Sequence, residues 1–250
     1  MKHKLSVLKL NTDGYIEPQM IKPHVLDAYA FAFLLEGEIL AEVSGQNILV
    51  SAGQLLMVPP EKKIIVKHFD RCLGYQGYFQ ADALKDHSYA VLREDQPIQK
   101  SFWFEDAVFM GALFKRMEQA FEDRDSRFLQ SAFDLILTQL KPNDNKSLVS
   151  ERFLQMVFEK DQAPLSVADY AEKLQVTPNY LNKTVKNHTH RTAIDWIEIA
   201  RLNIAKRYLK DPTVPIIDVA IRCGLDDQSY FSRFFKKITG MTPTQYRNGK

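Results

Sequence analysis

Two sets of polar side chains in the C-terminal half recur at the spacing of one helical face. In the first set, Asn179, Asn182, Lys183 and Lys186 fall at i, i+3, i+4 and i+7, on one side of a helix. The second set comprises Gln228, Ser229, Ser232, Arg233 and Lys236, with Lys237 beside it. Such side chains hydrogen-bond base edges and phosphates in a DNA groove. A solvated face usually includes Glu, and neither of these faces does, so the pattern favours contact with DNA.

The first polar face is predicted to lie on the second helix of a helix-turn-helix unit. Ser166 is placed to cap a helix over about 167–174, and a tight turn follows. Thr177 and Pro178 then begin the second helix, because Thr is a common N-cap and Pro lacks an N–H that the first turn leaves unpaired. That helix is expected to end near residue 187.

The second polar face has the same setting. A helix is predicted over about 216–222, and residues 223–225 form the turn. Asp226 is expected to cap a longer helix over 227–239, which Gly240 closes. Residues 193–210 between the two units predict one helix about 27 Å long at ~1.5 Å per residue. That length could hold the two polar faces roughly one DNA turn, about 34 Å, apart.

The charge distribution agrees with a polyanionic partner for the C-terminal half, although uneven surface charge would give the same totals. Residues 1–147 carry 17 Lys and Arg against 20 Asp and Glu, a net charge of −3. Residues 148–250 carry 16 against 11, a net charge of +5. Residues 141–147 contain no apolar side chain except Pro142, which predicts a linker between the halves.

Composition excludes several classes of protein. The 250 residues are 45% hydrophobic and 26% charged, as in globular proteins, and no apolar run approaches the ~18 residues of a membrane helix. Two cysteines, Cys72 and Cys223, cannot form a disulfide scaffold or a multi-cysteine metal site. With no apolar segment of a secretory signal behind the basic N-terminus, we expect a cytoplasmic protein without a membrane partner.

The first ninety or so residues are typical of short strands separated by Gly, Pro and a turn at 36–38. They predict a small antiparallel β-barrel or sandwich. The expected strands are 26–35, 39–43, 47–50, 55–58, 64–69 and 74–79. Aromatic residues on these strands either line a cavity for a small ligand or simply fill the barrel. The candidates are Tyr29, Phe31, Phe33, Tyr75 and Tyr78.

Two amphipathic helices are predicted after residue 100, because apolar residues recur there every three or four positions. Their Phe-rich stripes either pack on the barrel or form a dimer interface, and we favour the interface. The candidate interface residues are Phe109, Leu113, Phe114, Met117, Phe128 and Phe133.

The rival hypothesis of a metal-dependent barrel enzyme lacks its residues. The histidines of the N-terminal half are His3, His24, His68 and His87, with no H-x-H pair among them, and Ile64 stands where a second metal-binding motif would need His. Cys72 is isolated, and no hydrolase, Walker or Rossmann motif occurs. We therefore expect no catalytic residue, no metal and no cofactor.

Residues 217–247 closely resemble the signature of the AraC/XylS family of transcription regulators. The resemblance rests on the run from Ile217 to Ala220, the run from Cys223 to Lys237, the GMTP sequence at 240–243, and Tyr246 with Arg247. Residues 166–181 resemble the corresponding first unit less sharply, and the likeness extends over roughly 148–250. This chain departs from the family pattern at Leu225, where Phe is usual, and at His190, where Gly often follows the helix.

The resemblance implies an α+β protein in two parts. It implies a cupin-like barrel sensor domain over 1–95, a helical dimerisation element over 96–140, a linker over 141–147, and a DNA-binding domain over 148–250. The family's DNA contacts fall on the ten polar residues named above, with Asn182, Lys183, Gln228 and Arg233 facing bases and Lys236 and Lys237 near phosphates.

The expected function is sequence-specific regulation of transcription by a homodimer bound to double-stranded DNA. A small-molecule effector in the barrel is expected to gate it, and RNA polymerase is a further candidate partner. One alternative is a barrel that only dimerises or binds a protein, and another is a cupin enzyme with an appended DNA-binding domain.

Overall fold

The computed structural model describes residues 5–12, 24–83, 100–142, 148–159 and 162–249. The chain divides into two compact units, Met1–Asp144 and Asn145–Lys250. An antiparallel sheet organises the first unit, and the second unit is helical. The predicted α+β class is therefore confirmed.

The first unit contains an eight-stranded sheet within the described residues. Its order is β1-β6-β3-β5-β7-β8, with β2 beside β6 and β4 beside β3, and every pairing is antiparallel. The strands are β1 (Leu5–Asn11), β2 (His24–Val25), β3 (Tyr29–Val43), β4 (Gln46–Ser51), β5 (Gln54–Val58), β6 (Lys63–Phe79), β7 (Lys100–Trp103) and β8 (Lys141–Pro142).

β3 and β6 are longer than the sequence pattern predicts, and the turn expected at 36–38 is wrong. The two strands stay paired from Tyr29 and Phe79 to Val43 and Ile64, with register shifts on the way. Gly37 has φ +82°, and a Cβ there would lie 2.2 Å from the Asp70 carbonyl oxygen. Such irregularities bend paired strands without ending them, so a glycine that suggests a turn here lies inside a strand. For the same reason the strands expected at 64–69 and 74–79 form the single strand β6.

Two helices follow the sheet as predicted, and each starts at an aspartate cap. They are α1 (Ala107–Glu122) and α2 (Ser126–Gln139). Asp106 accepts a hydrogen bond from the Phe109 N–H at 2.8 Å, and Asp125 accepts one from the Phe128 N–H at 3.0 Å. The predicted linker at 141–147 begins in β8, since Lys141 and Pro142 pair with β7, and 143–147 lie outside the described residues.

The two faces of the sheet bury different side chains. One face carries aromatic residues of β3 and β6 and packs against α1 and α2. The other face carries aliphatic residues, among them Leu34, Ala41 and Val43. This division follows from the alternation of side chains along a strand, so β3 carries apolar side chains on both faces.

The second unit is entirely helical in its described part. Its helices are α3 (Leu148–Val157), α4 (Val167–Lys173), α5 (Pro178–Thr189), α6 (Ala193–Leu209), α7 (Ile216–Arg222), α8 (Gln228–Thr239) and α9 (Pro243–Arg247). The central helix α6 serves two groups of side chains. Near its start, Trp196 meets Phe158 with ring centroids 6.0 Å apart. Near its end, Ala205 and Leu209 belong to the core that surrounds α7 and α8.

Candidate nucleic-acid interface

Each polar face lies on a helix whose first turn is capped by a side chain. Thr177 accepts a hydrogen bond from the Tyr180 N–H at 3.2 Å at the start of α5. At the start of α8, Asp227 accepts hydrogen bonds from the N–H groups of Ser229 at 2.6 Å and Tyr230 at 2.9 Å. The cap is therefore Asp227, and the prediction of Asp226 is off by one residue. The caps fix where each helix begins and so set the register of its polar face.

The turns before α5 and α8 have the same backbone form. Gln175 and Gly224 both take positive φ angles, +57° and +72°. In each turn the next N–H bonds back to the preceding helix, from Val176 to the Ala171 carbonyl at 2.9 Å and from Leu225 to the Ala220 carbonyl at 3.0 Å. The helix-turn-helix plan predicted from the sequence is thus present twice.

The two helices expose their predicted polar faces to solvent. On α5, Asn179, Lys183 and Lys186 are exposed, and Asn182 is half-buried. On α8, Ser232 is half-buried and the other predicted residues are exposed; these are Gln228, Ser229, Arg233, Lys236 and Lys237. The opposite faces are buried in the unit's core, through Leu181 and Val185 on α5 and Phe231, Phe234 and Phe235 on α8.

The electrostatics of both helices suit a polyanion. Neither α5 nor α8 contains an acidic residue, and each has basic residues in its last turn. The Asp227 cap lies outside α8, where hydrogen bonds from the Tyr230 and Ser229 N–H groups hold the pKa of its carboxyl below the usual range. Its negative charge therefore interacts with the positive N-terminal end of the α8 dipole.

Two exposed tyrosines also lie on these faces, although the sequence pattern of polar side chains did not include them. Tyr180 and Tyr230 occupy the third position of α5 and α8, and 54% and 50% of each residue is exposed. Their separation of fifty residues, like that of Lys183 and Arg233, is the signal that could have found them. An aromatic residue exposed at the same place in both copies is not accounted for by packing.

One predicted contact residue also has a partner within the chain. The Asn182 side-chain oxygen accepts a hydrogen bond from the Ala193 N–H, with 3.0 Å between oxygen and nitrogen. Ala193 is the first residue of α6 and is fully buried. Asn182 therefore ties α5 to the start of α6.

Known proteins are similar to this half of the chain, and some are similar to nearly all of it. Residues 170–249 match a family described as a helix-turn-helix domain. The arabinose operon regulatory protein of Escherichia coli K12 is 21% identical over 271 residues, which cover 96% of this chain and 87% of that protein. The transcriptional activator RhaS of Enterobacter sp. strain 638 is 23% identical over 250 residues, which cover 93% and 90%. The chain is thus similar, over nearly its whole length, to regulators of the AraC/XylS family.

The chain is a DNA-binding transcription regulator with a helix-turn-helix domain. The two relatives named here are an operon regulatory protein and a transcriptional activator. Among solved structures, the C-terminal domain of AraT, a response regulator from Geobacillus stearothermophilus, is 33% identical with a TM-score of 0.39. That match covers 42% of this chain and 87% of the other.

The aromatic residues predicted to line a ligand cavity fall into two groups. Tyr29, Phe33 and Tyr75 are buried in the core between the sheet and the helices, where Phe33 stacks on Phe114 at 4.8 Å between centroids. Phe31 lies in the same core but also borders a cavity on the other side of the sheet, and Tyr78 borders that cavity too. The first three point towards the helices, which favours the alternative that they fill the core.

The cavity has a volume of about 310 Å³ and is lined mainly by residues of β1, β3, β5 and β6. Small residues on β3 and β6 leave the space open, namely Ala30, Ala32, Ala41 and Gly77. Its polar side chains are Ser6, Thr12, Gln76 and Tyr78, and none of the described lining residues is charged. Thr12 and Ser6 already bond the N–H groups of Cys72 and Tyr78, at 2.7 and 3.2 Å.

The candidate dimer residues also divide. Phe114, Met117 and Phe133 are fully buried against the sheet, so the packing alternative is correct for these three. Leu113 and Phe128 are half-buried at the edge of the same core, and Phe109 is 48% exposed. Val108, beside it, is 86% exposed. Among the candidate residues, Phe109 in the first turn of α1 is therefore the one with a largely exposed apolar side chain.

The described part of the chain offers no group of three or more His, Cys, Asp or Glu side chains that could hold a metal. His68 lies in β6 with its Nε2 3.6 Å from a Glu38 carboxylate oxygen. Burial raises the pKa of the Cys72 thiol to about 11, and the thiol donates to the Glu38 carbonyl at 3.1 Å. None of the helices in the described ranges has the length and apolar content that a membrane crossing requires.

Proposed function

We propose that α5 and α8 enter successive major grooves on one face of the DNA. The observation that carries this proposal is the fifty-residue repeat, which presents two acid-free polar faces from one helical frame. α6 joins the two copies, and its 17 residues span about 26 Å at ~1.5 Å per residue. This length suits two reading helices held about one DNA turn, ~34 Å, apart.

Each exposed side chain has a role that follows from its chemistry. Arg233 is suited to a bidentate contact with guanine, and Gln228 to one with adenine. Asn179, Lys183 and Ser229 lie on the same faces and contribute further base contacts. Lys186, Lys236 and Lys237 lie in the last turns of the two helices and contact phosphates, and Ser232 adds a phosphate contact from the middle of α8. Tyr180 and Tyr230 add phenol hydroxyls at the first turns, where they donate to the DNA backbone.

Selection from a random DNA library by the full-length protein, at two salt concentrations, tests this interface. We expect a motif with two conserved blocks about one helical turn apart, weakened at the higher salt concentration. A motif with a single block would contradict reading by both helices. Failure to enrich any sequence would contradict specific binding by the free protein.

We further propose that the cavity of the first unit binds a small effector that controls DNA binding. β3 alternates large aromatic residues towards the helices with alanines towards the cavity, so one strand fills one side and leaves space on the other. About 310 Å³ lies at the lower end of the range of ligand sites. Because the described lining is mostly aliphatic and uncharged, the site favours a largely apolar ligand that bonds Gln76 or Tyr78.

Filling the cavity tests the effector proposal. Ala32→Leu should abolish the thermal stabilisation that medium-chain alcohols or fatty acids give the wild-type protein. The exposed Ala112 on α1 supplies the control Ala112→Leu, which should leave that stabilisation unchanged. If no apolar compound shifts the melting temperature and Ala32→Leu leaves regulation intact, the barrel only dimerises or binds a protein.

We propose that the chain is a homodimer and that the exposed start of α1 contributes to its interface. Val108 and Phe109 present apolar surface there, beside the half-buried Leu113. Phe109→Glu should shift sedimentation from dimer to monomer, whereas Gln119→Glu on exposed α1 surface should not. Dimers that persist in Phe109→Glu would place the interface elsewhere. RNA polymerase as a partner remains a prediction.

A further inference from the structure

The hydrogen bond from the Ala193 N–H to the Asn182 side chain supplies an acceptor that the start of α6 would otherwise lack. The first N–H groups of a helix have no partner inside the helix. At α6, Thr192 accepts from the Asp195 N–H at 3.2 Å, and Asp195 accepts from the Thr192 N–H at 2.8 Å. That capping box leaves the Ala193 N–H, which is fully buried, and Asn182 supplies its acceptor at 3.0 Å.

In the second unit, the first residue of the equivalent helix needs no hydrogen-bond acceptor. Fifty residues later, Thr242 and Gln245 form the equivalent capping box at the start of α9. The residue equivalent to Ala193 is Pro243, which has no N–H and needs no acceptor. The residue equivalent to Asn182 is Ser232, which therefore has no such duty.

This bond restricts what Asn182 can offer to DNA. An asparagine reads adenine by presenting its oxygen and its nitrogen together to the base edge. The Asn182 oxygen faces the buried start of α6, and the residue is half-buried. Asn179 and Lys183, on the same helix, are exposed and have no such tie to α6 among the described hydrogen bonds.

We propose that Asn182 is a positioning residue that fixes the angle of α5 against α6, and that base recognition by the first unit falls to Asn179 and Lys183. The proposal rests on the proposed DNA interface, and it replaces the expectation that Asn182 itself reads bases. In the first unit, the Asn182 side chain accepts the hydrogen bond of the first N–H of α6. In the second unit, Pro243 has no such N–H, so no acceptor is needed.

The second unit suggests the test. Asn182→Ala leaves the Ala193 N–H without an acceptor, and Ala193→Pro then removes that N–H as Pro243 does. Thr192 has an extended backbone with ψ 160°, which suits a residue before proline. Four full-length proteins are compared: wild type, Asn182→Ala, the double variant, and Ser232→Ala as the matched control in the second unit. Each is measured for DNA affinity, for preference at every base of the selected site, and for melting temperature.

If Asn182 positions α5, Asn182→Ala should lower affinity roughly fivefold to a hundredfold, as expected for a buried donor without an acceptor. The loss should spread over all bases of the first block without changing which bases are preferred. The double variant should recover most of the affinity and of the melting temperature. Ser232→Ala leaves no buried N–H without an acceptor, because Pro243 has none, and it should therefore keep the melting temperature near the wild-type value.

Relaxed preference at one or two bases, with no recovery in the double variant, would overturn the proposal and return Asn182 to base reading. Unchanged affinity and melting temperature in Asn182→Ala would overturn it as well. A wild-type protein that selects no DNA would overturn the proposed interface itself. In that case, recovery of the melting temperature by the double variant would still separate the positioning role from the DNA-binding function.

Discussion

The two helix-turn-helix units share one plan but differ in the residues that complete it. Where the second unit uses Gly224 and Gly240 at positive φ, the first uses Gln175 and His190, at +57° and +60°. Where the second unit buries Phe231 and Phe235, the first buries Leu181 and Val185. The second unit thus has glycine where the backbone is left-handed, whereas the first unit has residues with a Cβ at those positions.

The difference extends to the groups offered to DNA. Lys183 and Arg233 occupy equivalent positions, and both are exposed. Guanidinium forms a planar fork that matches guanine, whereas ammonium is a single point of charge. We therefore expect the second unit to supply more of the sequence specificity and the first more of the general affinity.

The largest expected difference between the units lies in their cores. Phe235→Ala should lower the free energy of unfolding by about 3–5 kcal/mol, because it removes a fully buried ring. Val185→Ala, at the equivalent buried position, removes far fewer atoms and should cost less. Urea denaturation of both variants measures the two losses. Equal losses would show that the smaller first core is as tightly packed as the second.

The turns should respond in opposite directions. Gly224→Ala should destabilise the protein by about 1–3 kcal/mol, since φ is +72° and the new Cβ would lie 2.5 Å from the Pro164 carbonyl oxygen. Gln175→Gly should be neutral or stabilising, because it relieves a positive φ without a new contact. Thermal unfolding distinguishes them, and a stable Gly224→Ala would mean that the backbone before α4 moves aside.

Arg233 and Lys183 test the division of specificity. Arg233→Ala should cost about 1–3 kcal/mol of discrimination at particular bases. Lys183→Ala should weaken binding to many sequences more evenly and reduce its dependence on salt. Binding to all single-base variants of the selected site measures both effects. If Lys183→Ala instead relaxes preference at one base as strongly as Arg233→Ala does, the two units read DNA equally.

The smallest expected effect concerns the ends of α5 and α8. His190→Gly should raise the free energy of unfolding by about 1 kcal/mol, because a left-handed backbone strains any residue with a Cβ. Gly240→His, the reverse change in the second unit, should lower it by a similar amount. Calorimetry on the two variants checks this symmetry. A destabilised His190→Gly would indicate that the imidazole makes a contact worth more than the strain.

Sequence patterns located the helical unit better than the sheet. Caps such as Ser166 and Thr177, Pro178 at a helix start and Gly240 at a helix end act within a few residues, so boundaries there can be predicted. Gly37 looked like a turn because a bulge and a turn both use a positive φ, and only the partner strand distinguishes them.

It is harder to predict from the sequence what covers a given apolar face of a strand or helix. Alternation along β3 separates Phe33 from Ala32 but does not say which side meets the helices and which meets the cavity. In the same way, an apolar stripe on α1 predicts burial of Phe114 without saying whether its own sheet or a second chain covers it. The tie between Asn182 and Ala193 depends on three-dimensional approach across eleven residues, for which the sequence offers no local signal.

The position of α6 has a consequence for how the helical unit unfolds. Its first half, with Trp196 and Ile197, is buried with one helix-turn-helix copy, and its second half, with Ala205 and Leu209, is buried with the other. Neither copy can open fully without exposing part of a helix on which the other depends. The two copies should therefore melt in a single cooperative transition, and amide protons in α5 and α8 should exchange with solvent at similar protection.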